Sequence, residues 1–473
     1  MSNELRRNSI GFWGVVFYAV SVIFPAGAFA ITGVAAMTYA GETAPLAFLL
    51  GGLTLFLAII PVYIFSSKIS NAGGYYKFVE AATQEKYISK SVGLWHAFWI
   101  IGDMIAASII VGWFTWVGLS SLVGYNLPFY MVVLLSFIVP VLYLIVGYFG
   151  IKFASWTAIT VGLVQLVFFT VLALMLIFKT HYNGLQYFNI SNSTNGLYGF
   201  FLAMVVGAFL AYGGYGSVVS LGEEAKLSKS SIKKAIIVSL LIMVTFDTLV
   251  VYSIVSAAGP NLSQATSSFA PGLYEVTLYF GTDLAILSFL IVIVSQVFSP
   301  VIFGNSGART LFSLSRDGLL PKSLSKVHEK YRSPHIATLV VFAILILGIL
   351  LTLGPLVLIY GEANGSFFAW VIWGTAITIF TLLYHIVVNQ TLPLFLKRLR
   401  EKFDLLRVLY AIVAPTVASI IMAIAIYYSL AGLTSPLNVV YVMIPSWIII
   451  SLAIIYLRRK STSVDHYARI MER

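Results

Sequence analysis

Apolar residues run through this chain in long blocks, and short polar segments cut the blocks at regular intervals. Twelve blocks are long enough to cross a bilayer as helices of about 20 residues. They cover 10–38, 44–66, 92–121, 128–148, 153–178, 197–224, 234–258, 282–308, 336–354, 365–390, 407–430 and 437–457. Two of them are interrupted near mid-depth. The first contains Phe24-Pro25-Ala26-Gly27, where proline removes a helical hydrogen bond and clashes with the preceding turn. The sixth contains Tyr212-Gly213-Gly214-Tyr215-Gly216, and each glycine costs a helix about 1 kcal/mol against alanine. Backbone freed from helical bonding is tolerated at membrane depth only where protein or a wet cavity surrounds it. Close helix packing through Gly207 and Ala211 is the other use of such small residues.

The two interrupted spans lie five apart, so the second group of five crosses in the opposite sense to the first. That relation marks inverted repeats with a binding site between the broken helices. The expectation is an all-α integral membrane protein of 12 transmembrane helices, with helices 1 and 6 discontinuous. Residues 1–9 form a cytoplasmic N-terminus, 10–178 the first five-helix repeat and 197–390 the second, inverted one. Two additional helices follow at 407–457, then a cytoplasmic tail at 458–473.

Composition supports the membrane assignment. The 473 residues are 60% hydrophobic and 10% charged, against about 25% charged in soluble domains. The net charge of +11 would suit a nucleic-acid binder, but its placement argues otherwise. Threading the twelve spans puts all 28 Lys and Arg except Lys179 on the side of the N-terminus. This is the positive-inside pattern, with both termini cytoplasmic in a multi-pass cell-membrane protein and no nucleic-acid partner. Cysteine is absent, and no His-Glu-x-x-His or Gly-x-Ser-x-Gly motif occurs. An enzyme is therefore not expected, nor a cofactor or metal site. A channel would need repeated polar rings along a pore, and the polar residues here are scattered. Two connections have structure of their own in prospect. Gly73-Gly74 followed by Tyr75 and Tyr76 predicts a turn into an interfacial helix. The segment 260–280 reads equally as an external lid or a polar loop.

The motifs Ala211-Tyr212-Gly213-Gly214-Tyr215, Glu223-Glu224, Ala72-Gly73-Gly74-Tyr75 and Arg316-Asp317-Gly318-Leu319-Leu320-Pro321 with Ser333-Pro334 stand in a telling order. They resemble the signatures of the amino acid–polyamine–organocation superfamily over roughly the first ten spans. The resemblance implies a leucine-transporter-type fold of five-plus-five inverted repeats with two extra helices. It also implies secondary transport of amino acids or related amines. The family's Gly-x-Gly at the first break is here Pro25-Ala26-Gly27, and the lysine that some proton-coupled relatives carry in the fifth span is Gln165.

An amino acid zwitterion needs donors for its carboxylate and acceptors for its ammonium. Half-helix ends supply both. The carboxylate is assigned to the backbone of Ala26, Gly27 and Ala28. The ammonium is assigned to the carbonyls around Phe209, Ala211 and Tyr212, with Gly213 beside them. Phe209 matches an aromatic that caps the substrate in relatives. Gly27 and Gly213 are expected to tolerate no bulky side chain. Ionisable residues inside spans are functional candidates by default. Asp103 in the third span is the leading proton carrier, with Asp247 in the seventh a second candidate. His385 reads as a helix contact. Gln165, Glu223 and Glu224 are coupling or gating candidates, and Ser295, Ser299 and Asn305 are a possible sodium set. The expected function is proton-coupled uptake of neutral or cationic amino acids or related amines by alternating access. The alternatives are an exchanger, a sodium-coupled permease or a transport-deficient nutrient sensor.

Overall fold

The structure, a computed structural model, describes residues 11–69, 71–149, 151–214 and 229–464. Its elements in chain order are α1 (Phe12–Ile23), α2 (Pro25–Ala30), α3 (Thr32–Ala40), α4 (Ala44–Lys68), α5 (Tyr75–Thr83), α6 (Lys86–Gly118), α7 (Tyr130–Ser136) and α8 (Ile138–Phe149). Then come α9 (Ile151–Lys179), α10 (Gly196–Ala203), α11 (Leu210–Tyr212), α12 (Lys229–Ala258), α13 (Leu262–Ser267), α14 (Pro271–Phe280) and α15 (Thr282–Arg316). The last are α16 (His335–Tyr360), α17 (Glu362–Arg398), α18 (Leu405–Val408), α19 (Ala414–Ala431) and α20 (Val440–Leu457). No strand occurs among the described residues.

Eleven helical runs among the described residues are long and apolar enough to cross a membrane. The shorter apolar run Gly196–Tyr212 stands where the sixth span is expected, and residues 215–228 that would continue it lie outside the described residues. The outermost helices show apolar side chains to their surroundings, as at Leu351, Leu358 and Ile359 of α16. Apolar residues can stay exposed in this way when lipid is the solvent, so the build is that of a multi-pass membrane protein. Several helices outrun their apolar blocks: α6 begins at Lys86 and α15 continues to Arg316. Their polar end turns keep helical bonding beyond the hydrophobic stretch, which hydropathy does not register.

Hydrogen bonds between connections sort the ends of the helices into two faces. Lys86 Nζ donates to the Arg459 carbonyl at 2.8 Å, and an Arg398 amine donates to the Thr83 carbonyl at 3.1 Å. Ser463 N donates to the Asp317 carbonyl at 2.9 Å. These bonds gather the connections after α4 and α15, the end of α17 and the C-terminal segment on one basic face. At the other end, Asn195 Nδ2 donates to the Tyr39 carbonyl at 3.0 Å and Thr180 Oγ1 to the Ser256 carbonyl at 2.7 Å. The segment 260–280 belongs to that second face and is largely helical, as α13 and α14.

The first span is broken twice. Phe24 ends α1 in the left-handed region (φ 60°, ψ 72°), a conformation that costs an L residue about 1–2 kcal/mol. Pro25 then opens α2, a position where the missing N–H has no helical partner to lose. At Ile31 the chain bends again before α3. Gly33 follows because a Cβ there would stand 2.0 Å from the Ala28 carbonyl oxygen. The sixth span opens as α10, widens to a π-helical turn over Met204–Phe209, and tightens after α11 at Gly213 and Gly214. The two spans touch at Gly214, where a Cβ would come within 2.6–2.8 Å of Val22 side-chain and carbonyl atoms. Gly213 is roomier, since its Cβ would meet only the Trp99 ring at 3.5 Å. The closest approach thus falls on Gly214 rather than on Gly213.

Around the broken spans, α6 packs against α15 and α17 as the central helix, while α12 lies along α4 and α1. The turn at Gly74 (φ 57°) leads into α5, which is buried against α6 and α17 rather than lying at the surface.

Candidate functional site

A cavity of about 90 Å³ lies where the two broken spans meet. Gly27, with Val22, Ile23 and Phe24, walls it from the first span, and Leu210, Ala211 and Gly214 from the sixth. Three continuous helices close the ring, each through one face. From α6 come Trp99, Asp103, Ala106, Ala107 and Ile110, spaced four, seven, eight and eleven residues along. From α15 come Gln296, Ser299, Pro300 and Phe303, again one helical face. From α17 come Trp370, Gly374 and Ile377.

Asp103 is half-buried on the α6 wall, and its carboxylate has no hydrogen bond or ion pair among the described residues. Nearby, Thr32 Oγ1, Ser299 Oγ and both amide atoms of Gln296 are buried without a partner among the described residues. All three of these residues line the same cavity. Buried polar atoms in folded proteins are nearly always paired, so a concentration of unpaired ones at one hollow marks a place for a ligand or water. Val22, Ile23, Ile110 and Ile377 add aliphatic surface to the lining.

The cavity has an open and a closed direction. A second cavity of about 190 Å³ shares Ile31, Ile110, Leu210, Trp370 and Gly374 with it and extends past Phe269 toward the less basic face. Toward the basic face the way is filled by rings. Trp99 meets Phe303 edge-on with centroids 4.8 Å apart, and His96 packs against Trp99 and meets Tyr75 and Tyr384 edge-on. His96 Nδ1 lies 3.2 Å from Thr310 Oγ1.

The structure brings some predicted residues into this site and leaves others out. Gly27, Ala211 and Asp103 line the cavity. Ala26 and Ala28 are buried in α2, and the Ala26 N–H donates to Gln165 Oε1 at 3.1 Å. Gln165, singled out by resemblance only as the counterpart of a fifth-span lysine, thus reaches from α9 to cap the first break. The Gly27 N–H is likewise engaged, donating to the Phe24 carbonyl at 2.8 Å. Phe209, Tyr212 and Gly213 lie off the cavity wall. Tyr212 turns to α4, donating to the Phe48 carbonyl at 3.3 Å. Asp247 is buried in α12 away from the cavity, with neither carboxylate oxygen partnered among the described residues. Of the sodium set, Ser299 reaches the cavity, while Asn305 donates weakly to its own helix. His385 Nδ1 sits 2.8 Å from the Thr381 carbonyl of its own helix. Glu223 and Glu224 lie outside the described residues.

Thr32, Trp99, Gln296 and Phe303 were not picked out from the sequence. For α15 a signal existed: Gln296, Ser299 and Phe303 recur at three, four and seven residues, a polar-to-aromatic stripe within a long apolar helix.

A second polar assembly lies on the basic face. Lys77 of α5 pairs with Glu80 and with Asp317, each at 2.8 Å. Lys90 of α6 bridges the same two acids. Tyr76 donates to Asp317 at 3.0 Å and lies 2.6 Å from Ser313 Oγ. Burial pushes the Tyr76 hydroxyl well above the ordinary tyrosine value, so it acts as a neutral donor here. The motifs Gly73-Gly74-Tyr75 and Arg316-Asp317-Gly318 thus meet in space as one locked corner.

With this geometry in view, comparison with known proteins is direct. The sequence profile of the amino acid permease family matches residues 14–466, and the chain belongs to that family. The branched-chain amino acid permease BcaP of Bacillus subtilis is 26% identical over 372 residues, 70% of this chain and 72% of that protein. An uncharacterized protein of Methanocaldococcus jannaschii is 23% identical, over 67% of this chain and 71% of its own. The branched-chain amino acid permease BcaP of Lactococcus lactis is 31% identical over 127 residues, 26% of each chain. The chain is accordingly an amino acid transporter of the membrane and not an enzyme.

Proposed function

We propose that this member of the amino acid permease family takes up amino acids by alternating access, with the cavity between the two broken spans as the substrate seat. The observation that carries the reading is the composition of that one hollow. Gly27 and Ala211 from the two breaks, a half-buried Asp103 without an ion pair, and aliphatic side chains all line it. Broken-helix transporters place substrate at such a junction. The aliphatic lining suits a neutral side chain, in keeping with the branched-chain permeases among the relatives. A cationic side chain or amine would draw on Asp103 instead.

On this reading the fold is the five-plus-five inverted repeat with two extra helices. The sixth of its twelve spans begins with α10 and continues beyond Gly214. The basic face is cytoplasmic, because Lys and Arg near span ends are retained on that side. The larger cavity then opens outward, and the Trp99–Phe303 ring layer is the closed inner side. Coupling runs through protons. In a site closed to water an ionised carboxylate without a partner is costly, so Asp103 sits there as the neutral acid or against the substrate ammonium. Entry of water from the cytoplasmic side lets the proton leave.

Proteoliposomes settle the assignment. Radiolabelled leucine should exchange by counterflow and accumulate when an inward proton gradient is imposed. Asp103→Asn should retain exchange and lose the response to the gradient. Accumulation driven by a sodium gradient at fixed pH would remove the proton assignment, and absence of counterflow for any amino acid would remove the carrier itself.

A further inference from the structure

The face opposite the basic corner carries the polar segment that joins α9 to α10, and that segment holds chemistry the transport cycle does not use. Resting on the reading that the basic face is cytoplasmic, we propose that Asn189 of this segment accepts one asparagine-linked glycan on the outer side of the membrane.

Five Asn-x-Ser or Asn-x-Thr triplets occur in the chain, at Asn189, Asn192, Asn261, Asn364 and Asn389. A triplet alone says little, and the structure sorts them. At Asn189 the Ser191 N–H donates to the side-chain Oδ1 at 3.1 Å, an Asx turn that folds the triplet back on itself. No hydrogen bond among the described residues uses the Asn189 Nδ2 or the Ser191 hydroxyl, and both residues are exposed. The other four triplets lack this arrangement. Asn192 is half-buried, and its Nδ2 donates to the Gln186 carbonyl at 3.2 Å. Asn261 and Asn364 run into helix: Ser263 lies in the first turn of α13, and Ser366 of α17 donates to the Glu362 carbonyl at 2.7 Å. Residues two apart on a helix do not face each other, so neither serine meets its asparagine. Asn389 is buried within α17.

The turn stands on a fixed base. Tyr187 is buried, and its hydroxyl donates to the Tyr182 carbonyl at 2.7 Å. The Thr194 N–H donates to the Ala40 carbonyl at 3.3 Å. Between these anchors Asn189, Ile190 and Ser191 are exposed in succession, so a membrane-bound oligosaccharyltransferase has access to the whole triplet. In the transfer, Asn189 Nδ2 attacks the anomeric carbon of a saccharide carried on a lipid phosphate. The N–C bond forms as the C–O bond to phosphate breaks. Nδ2 gives up a proton, and the lipid phosphate leaves. The product carries a bulky, hydrated group just before α10 opens at Gly196.

Intact-mass spectrometry of the full-length protein, purified from the membranes of the cells that make it, tests this. One glycan should appear as a single mass excess over the sequence. The excess should be lost in Asn189→Gln and in Ser191→Ala, and kept in Asn192→Gln, Asn261→Gln and Asn364→Gln. Ser191→Ala leaves the asparagine itself in place, so it carries the test if Asn189→Gln fails to fold. A chain at its sequence mass overturns the proposal, and so does an excess that survives Ser191→Ala. Sidedness is read apart from the glycan. Leu185→Cys, at a position 84% exposed in a chain without cysteine, should react with an impermeant thiol reagent added outside intact cells. Reaction from the inside only would remove the cytoplasmic assignment of the basic face, and the site with it. Reaction from outside without a mass excess would remove the glycan alone.

Discussion

The substrate cavity and the corner where α5, α6 and α15 meet are both built from buried polar groups, and they treat them in opposite ways. At the corner Lys77, Lys90, Glu80 and Asp317 each contact an opposite charge, and Tyr76 and Ser313 complete the set. In the cavity Asp103, Gln296, Ser299 and Thr32 line the wall with no side-chain partner among the described residues. A buried charge is tolerated when it is paired, and removing one partner strands the other. A buried polar atom left unpaired in the resting protein is a cost that only a ligand or water relieves. The difference separates a part that holds helices together from a part kept ready for substrate.

The largest test of that contrast is Asp317→Ala, which removes an acid that two buried lysines share. It should destabilise the protein by about 3–5 kcal/mol in equilibrium unfolding in mixed micelles. A loss below about 1 kcal/mol would show that the corner is not the structural half of the comparison. Next comes the contact between the breaks. Gly214→Ala places a Cβ against Val22 carbonyl atoms and should cost about 1–3 kcal/mol with a matching fall in uptake. Gly213 has helical dihedrals (φ −50°, ψ −29°) and room beside Trp99. Gly213→Ala should therefore be neutral or stabilising by about 0.4–1 kcal/mol. Equal losses in the two variants would contradict the placement of the contact.

Asp103→Asn sharpens the cavity side. Because no partner is lost, stability should change by less than about 1 kcal/mol while proton-driven uptake disappears. A destabilisation as large as that of Asp317→Ala would make Asp103 a structural residue. The smallest effect concerns Glu275 of α14, on the face opposite the basic corner and 2% exposed. Burial pushes its carboxyl up to about 7 from an ordinary 4.5. Its folded value lies above its unfolded one, so the packing of α14 is at full strength below pH 4.5. That strength falls as the pH rises through this window and is lost above about pH 7. Hydrogen exchange over Pro271–Phe280, corrected for intrinsic rates, should be faster at pH 8 than at pH 6, and Glu275→Gln should level the difference.

Much of the architecture was legible in the residues before any coordinates. Apolar length predicts spans because the bilayer core demands about 20 residues per helix, and eleven of the twelve expected runs appear as such among the described residues. The break at Pro25 was legible because a proline two residues before Gly27 removes a helical hydrogen bond in a stretch already weakened by glycine, whereas Pro61 and Pro300 are carried inside α4 and α15. The second break at Ile31 was not, since nothing local marks it. Gly33 permits the bend only because the Ala28 carbonyl stands where its side chain would be.

The cavity divides along the same line. Asp103 stood out because a carboxylate inside an apolar run is rare on any physical ground. Gln296, Ser299 and Thr32 looked like polar residues whose side chains could bond their own helices. That these particular ones go unpartnered, and converge on one hollow, depends on how α3, α6 and α15 pack. Gln165 makes the same point. Its amide could have faced lipid, another helix or the cavity, and only packing of α9 against α2 aims it at the Ala26 N–H. Sequence by itself determined which segments must be helical and buried in lipid, because transfer free energy and backbone bonding act locally along the chain. Tertiary structure decided which polar groups are paired and which are left open, because a hydrogen bond over two or three ångströms is a property of two helices and is written in neither alone.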